Sequence, residues 1–167
     1  MRYTYATLDV FTRRRFTGNP MAVVLDADDL DTSTMHAIAR EFNLPETAFV
    51  MRPSDPANHV RLRIFTVAEE LPFAGHPTIG AAVFLSYFGT PLLPRKLRIE
   101  EIAGVIHCDV SGASADAGWA EISIPRLPQK ISKAASVDKI ADALGIEPQA
   151  IGFSSLQPEC WSAGIPF

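Results

Sequence analysis

Hydrophobic residues recur along this chain with two different periods. From Val60 to Thr66, Val60, Leu62 and Ile64 alternate with Arg61 and Arg63, the period of a strand with one buried and one wet face. The same alternation predicts strands over about 96–101, 105–110 and 119–124, and shorter apolar stretches predict others over 3–10, 21–25 and 47–51. A Gly18-Asn19-Pro20 turn joins the first two into a hairpin-like opening. A helical period takes over from Thr32 to Asn43, where Met35, Ile38, Ala39 and Phe42 share one face behind an Asp31 cap. It returns after Ser136, where Val137, Ile140, Ala141 and Leu144 precede Gly145. Pro77 to Phe88 follows neither rule, because Ile79, Ala81, Ala82, Val83, Phe84, Leu85, Tyr87 and Phe88 leave almost no polar stripe. A helix apolar all round is a buried one; Pro77 suits its first position and Gly89 its end.

Together these elements predict an α+β fold, with mixed and antiparallel strands wrapped around a central buried helix at about Pro77–Phe88. Residues 1–124 form its N-terminal domain. The Pro- and Lys-containing stretch 125–135 reads as a linker, so that 125–167 is expected to hold a linker, a helix and the start of a truncated second domain. Trp161 to Phe167 begins like a further strand and stops in mid-architecture. No internal repeat or low-complexity segment interrupts this pattern.

Composition narrows the function more by exclusion than by indication. With 47% hydrophobic and 20% charged residues in 167, the chain falls among ordinary globular proteins rather than disordered ones. A net charge of -4 opposes a nucleic-acid partner, and the single basic run, Arg13-Arg14-Arg15, reads as a solvated turn. The start lacks a signal-peptide pattern and no run nears the ~18 apolar residues of a membrane span. A cytoplasmic location without membrane contact is the expectation. Cys108 and Cys160 are far apart and read as buried thiols, with neither a disulfide framework nor a metal site. Adjacent Glu69 and Glu70 point to opposite faces and read as a solvated loop. His36, His59 and His107 lack ligand spacing, and no nucleotide-binding glycine loop or GxSxG elbow is found.

Three places retain possible chemistry. Gly75-His76-Pro77 opens a helix, where free backbone N–H groups at the positive end of the dipole suit a carboxylate, and His76 would stand at the mouth. A plain turn with a capping histidine fits the same residues. Glu46 lies between Leu44-Pro45 and the apolar Ala48-Phe49-Val50. Partial burial there would raise its pKa toward a useful acid/base range, although position alone favours a surface glutamate at a strand edge. Asn19 offers an amide to a polar substrate, or serves only its turn.

Read together, Phe16-Thr17-Gly18-Asn19-Pro20-Met21-Ala22-Val23-Val24, Asn43-Leu44-Pro45-Glu46-Thr47-Ala48-Phe49, and Arg63-Ile64-Phe65-Thr66 running on to Glu70-Leu71-Pro72-Phe73-Ala74-Gly75-His76-Pro77-Thr78-Ile79-Gly80 resemble the PhzF-like (phenazine biosynthesis) isomerase/epimerase family. The resemblance covers essentially the whole chain, as the N-terminal half of such a protein. It implies the diaminopimelate-epimerase-like fold, two similar domains with the active site in the cleft between them. It further implies an allylic proton shift without metal or organic cofactor, with Glu46 and His76 catalytic and Gly75, Pro77 and Asn19 binding substrate. Neither cysteine falls in these motifs, which disfavours the thiol chemistry of the epimerase cousins. Val67 stands where the family commonly has proline. The second acidic residue and a Gly-Ser anion contact would come from a second lobe.

The expectation is therefore an isomerase acting on a small carboxylate-bearing metabolite. Its partner is expected to be a second copy in a homodimer or a chain carrying the second domain. The alternative is a catalytically incomplete binding or interaction module derived from the same family.

Overall fold

The computed structural model describes residues 2–88, 93–114, 116–153 and 155–162. It divides into two compact units, Met1–Pro125 and Arg126–Phe167.

In the first unit, β1 (Tyr5–Val10) and β2 (Asn19–Val24) form the antiparallel hairpin, and β2 pairs in parallel with β3 (Glu46–Met51). β3 is antiparallel to β4 (Val60–Phe65). The far edge of β4 is shared by β5 (Glu70–Leu71), antiparallel beside its end, and β6 (Lys96–Glu101), parallel beside its start. β7 (Gly104–Ser111) and β8 (Trp119–Ile122) then extend the sheet in antiparallel fashion. Helix α1 (Thr32–Phe42) is capped by the Asp31 carboxylate, which accepts from the Thr34 N–H, and ends on Asn43 in the left-handed region.

Helix α2 (Gly75–Phe88) packs against β1 and β2 at one end of the strand order and β7 and β8 at the other. A sheet that meets one helix with both of its edges is curled around it. Leu62, Ile64, Leu97, Ile99 and Ile106 face α2 in one core, while Phe49 and Phe65 turn the other way and pack with Met35 and Ala39 of α1. Strand alternation thus sorts each strand between two cores.

Gly80 sets how closely the sheet approaches α2. A Cβ there would lie 2.5 Å from Met21 Sδ and 2.9 Å from Val10 Cγ2. Met21 is fully buried, so its sulfur has little room to move. Gly80→Ala is expected to cost about 1–3 kcal/mol by overpacking, despite the better helix propensity of alanine. Urea denaturation of the variant measures that loss.

Some expectations need correction. α2 begins at Gly75, so Pro77 is its third residue; proline is tolerated there because the first-turn N–H groups have no helical acceptor. The Gly89 terminator lies outside the described residues. Arg63 does not face water. It donates to both carboxylate oxygens of Glu70 at 2.6 Å and to Thr32 Oγ1 at 2.9 Å, and lies over the Phe65 ring. Glu70 accordingly belongs to a shielded ion pair rather than to a solvated loop.

The second unit contains β9 (Gln129–Lys133), α3 (Val137–Leu144) and β10 (Glu159–Ser162). β9 lies inside the stretch read as a linker and pairs antiparallel with β10. Its five residues are all exposed, so no alternation marked it. Ser136 caps α3 and Gly145 closes it in the left-handed region. Cys108 is buried, whereas Cys160 is only partly so, and both are free thiols. The strand expected over 161–167 is seen as β10 up to Ser162, and the rest lies outside the described residues.

Candidate active site

Parallel pairing of β2 with β3 brings the starts of both strands to one end of the sheet, with Met21 opposite Glu46. On β3, Ala48 and Val50 contribute to the core around α2, and Glu46 is in phase with them. Its carboxyl therefore projects toward the start of α2. There Glu46 Oε2 lies 3.0 Å from His76 Nε2, with side-chain exposures of 18% and 8%. Neither buried atom makes an aligned hydrogen bond, so the pair is held close without being locked together.

On the other side of the ring, the Asn19 Nδ2 amide lies 3.1 Å from His76 Nδ1. With the ring proton on Nε2, the nitrogen beside Glu46, Nδ1 accepts from the amide. Burial lowers the pKa of His76, an effect partly offset by the Pro20 carbonyl, and burial raises that of Glu46. Both groups are pushed toward their uncharged forms. At neutral pH the imidazole is uncharged, and the carboxylate is more basic than an exposed one.

Gly75 completes the arrangement. Its φ is not left-handed, and apart from its chain neighbours and the backbone of its own helix no atom of the described residues lies within 4 Å of where a Cβ would stand. Backbone strain and protein packing therefore give no reason for glycine here. The first amide of α2 to bond within the helix is that of Thr78, to the Ala74 carbonyl at 3.3 Å. Pro77 has no N–H, so the amides of Gly75 and His76 remain as the donors of the first turn.

Glu46, His76 and Asn19 thus come together, with Gly75 beside them and Pro77 buried in the helix behind. Such a cluster can take a proton from carbon onto a carboxylate and return it elsewhere, with amide donors facing an anionic oxygen. Cys108, on β7, is unsuited to moving a proton in this way, because burial, then Asp109, push its thiol up to about 11. Sequence reasoning missed Thr78 and Glu101, both at the same end of α2. Their signal was a carboxylate in phase with the buried Leu97 and Ile99 of β6. Among the described residues no group of His, Cys, Asp and Glu is placed to hold a metal, and no helix is long and apolar enough to cross a membrane.

A curled sheet around a buried helix is the architecture of the diaminopimelate-epimerase-like fold, and solved structures to which this one is similar share it. The chain belongs to the phenazine biosynthesis-like protein family (PhzC-PhzF), whose model matches residues 8–166. It is 45% identical over 163 residues to an uncharacterized isomerase of Mesorhizobium japonicum, covering 98% of this chain and 54% of that one. Over 83 residues it is 47% identical to the trans-2,3-dihydro-3-hydroxyanthranilate isomerase of Pseudomonas aeruginosa, half of this chain and 30% of the isomerase. The solved structure of a predicted epimerase from Pseudomonas aeruginosa superimposes with a TM-score of 0.82 at 31% identity, over 99% of this chain and 57% of that one. The chain spans about half the length of the curated relatives that match it over most of its own length.

Proposed function

We propose that the protein is an isomerase that shifts a proton on a small carboxylate-bearing metabolite without metal or organic cofactor, its site completed by a second lobe. The observation that carries this reading is the 3.0 Å approach of Glu46 Oε2 to a buried His76 at the open start of α2. Glu46 takes a proton from a substrate carbon, the electron pair moves along the conjugated system, and the proton returns to another carbon of the same molecule. The reaction is redox-neutral and regenerates the carboxylate. His76, uncharged and oriented by Asn19, steadies Glu46 as it gains and loses the proton, while the Gly75 and His76 amides hold an anionic oxygen. The named activity of the Pseudomonas aeruginosa isomerase makes trans-2,3-dihydro-3-hydroxyanthranilate the first substrate to try.

Solvent-deuterium incorporation into that compound tests the proposal. The 167-residue chain alone is expected to show no exchange, and the same chain together with a second lobe from a full-length relative is expected to label the product at carbon. Exchange by the isolated chain would sink the dependence on a second lobe. Binding without exchange in either preparation would mark a binding module in place of an isomerase.

A further inference from the structure

The Glu101 carboxyl takes no part in the steps above. In β6 it is in phase with the buried Leu97 and Ile99, and so projects onto the helix side of the sheet. β6 runs parallel to β4, and the end of β4 lies beside the start of β3, where Phe65 is opposite Thr47. β6 reaches only the first part of β4, with Arg61 opposite Glu100, so Glu46 and Glu101 stand on the two strands flanking β4 at different points along it. They meet the first turn of α2 at different residues, Glu46 at His76 and Glu101 at Thr78. Two positions apart on a helix is about 200° of rotation, so the two carboxyls grip opposite sides of that turn. A second bond follows the same course: the Ala103 N–H, in the turn after β6, donates to the Pro72 carbonyl at 2.9 Å.

The hydrogen bonds at Thr78 define the state of Glu101. The buried Thr78 hydroxyl lies 2.7 Å from the Ala74 carbonyl and 2.6 Å from Glu101 Oε1. It has one proton for two acceptors. Glu101 Oε2 is buried and has no hydrogen-bond partner among the described residues. A carboxylate would have to share that proton with a carbonyl while its other oxygen stayed charged and dry, an expensive arrangement. A carboxylic acid removes the conflict: Glu101 donates to Thr78, and Thr78 donates to Ala74. We propose that Glu101, held as a neutral acid, is a positioning residue that clamps Thr78 and so fixes the first turn of α2 with His76 against Glu46. The functional part of this assignment rests on the reading of Glu46 and His76 as the reacting pair.

Charged neighbours leave Glu101 alone. Its partner on β7 is Gly104, Arg61 acts on Glu100, Glu70 of β5 is taken by Arg63, and His76 turns its ring to Asn19 and Glu46. Burial raises its pKa to about 7, opposed only by the Thr78 bond. With the folded value above the unfolded one, the clamp's stability is fully present below the ordinary carboxylate range and is lost as pH rises through about 7.

The test is an NMR titration of the 167-residue chain labelled at glutamate carboxyl carbons and histidine ring nitrogens. Glu101 is expected to titrate near neutrality, and the His76 ring signals to shift with that same midpoint, apart from their own lower one. In Glu101→Gln, whose amide can still donate to Thr78, the His76 signals should keep their wild-type acid-form position and lose the second midpoint. In Glu101→Ala they should be displaced at every pH. The melting temperature of Glu101→Gln relative to wild type should rise across the same pH interval. A Glu101 midpoint in the ordinary carboxylate range, or His76 signals indifferent to it, would overturn the proposal, and the wild-type titration decides this even if a variant does not fold. None of these readings needs turnover. The clamp can therefore hold while the isomerase assignment fails, and deuterium exchange can succeed while the clamp fails.

Discussion

Glu46→Gln is expected to lower proton exchange by about 10²–10⁴-fold, the usual contribution of a positioned acid/base group, while substrate affinity stays within a few-fold. The amide matches the carboxylate in size, and Glu46 Oε2 makes no aligned hydrogen bond for the fold to lose. What the substitution removes is the capacity to bind a proton. The pH profile gives the sign. Burial raises the pKa of Glu46, so its basic form, and with it the rate, should fall as pH drops through that raised value, at higher pH than for an exposed glutamate. Burial lowers the pKa of His76, so at neutral pH its imidazole is uncharged. Single-turnover deuterium exchange with the completed site, measured beside equilibrium binding, separates the two quantities. A proportional loss of both would mean that Glu46 binds substrate and does not move its proton.

The sequence carried most of the strands because a one-sided sheet must alternate, as Val60-Leu62-Ile64 and Leu97-Ile99 do. It carried α2 because a helix enclosed by a curled sheet can afford no polar stripe. β9 was invisible for the opposite reason, since a strand exposed at every position has no period to read. At the site, Glu46 and His76 were ambiguous residue by residue, because nothing local says that β3 and α2 start at the same place; parallel pairing of β2 with β3 does that. Glu101 was readable in principle as a charge in a buried phase, yet its partner Thr78 lies 23 positions earlier in the chain. Arg63 and Glu70 were misread because alternation predicts which face a side chain takes, not whether the end of a neighbouring strand and Thr32 at the start of α1 then cover it.

That pair yields the second large effect. Glu70→Ala is expected to destabilise the fold by about 3 kcal/mol, the lower end of the range for breaking a shielded ion pair, because the side chains keep 15% and 20% exposure. The cost comes less from lost attraction than from the stranded Arg63, whose guanidinium would be left with the Thr32 Oγ1 bond and the Phe65 ring and no carboxylate. Replacing both partners with apolar groups, as in Arg63→Met with Glu70→Leu, should therefore recover most of the loss, since no charge is then left unpaired. Urea denaturation of the two single variants and the double closes the cycle, and additive losses would show that the pair is not coupled. The effect should also reach the site. Glu70 anchors β5 to β4, and the chain from Leu71 leads directly to Ala74, Gly75 and His76. A double variant that regains stability but not proton exchange would show that the ion pair sets where α2 begins as well as how firmly the sheet holds.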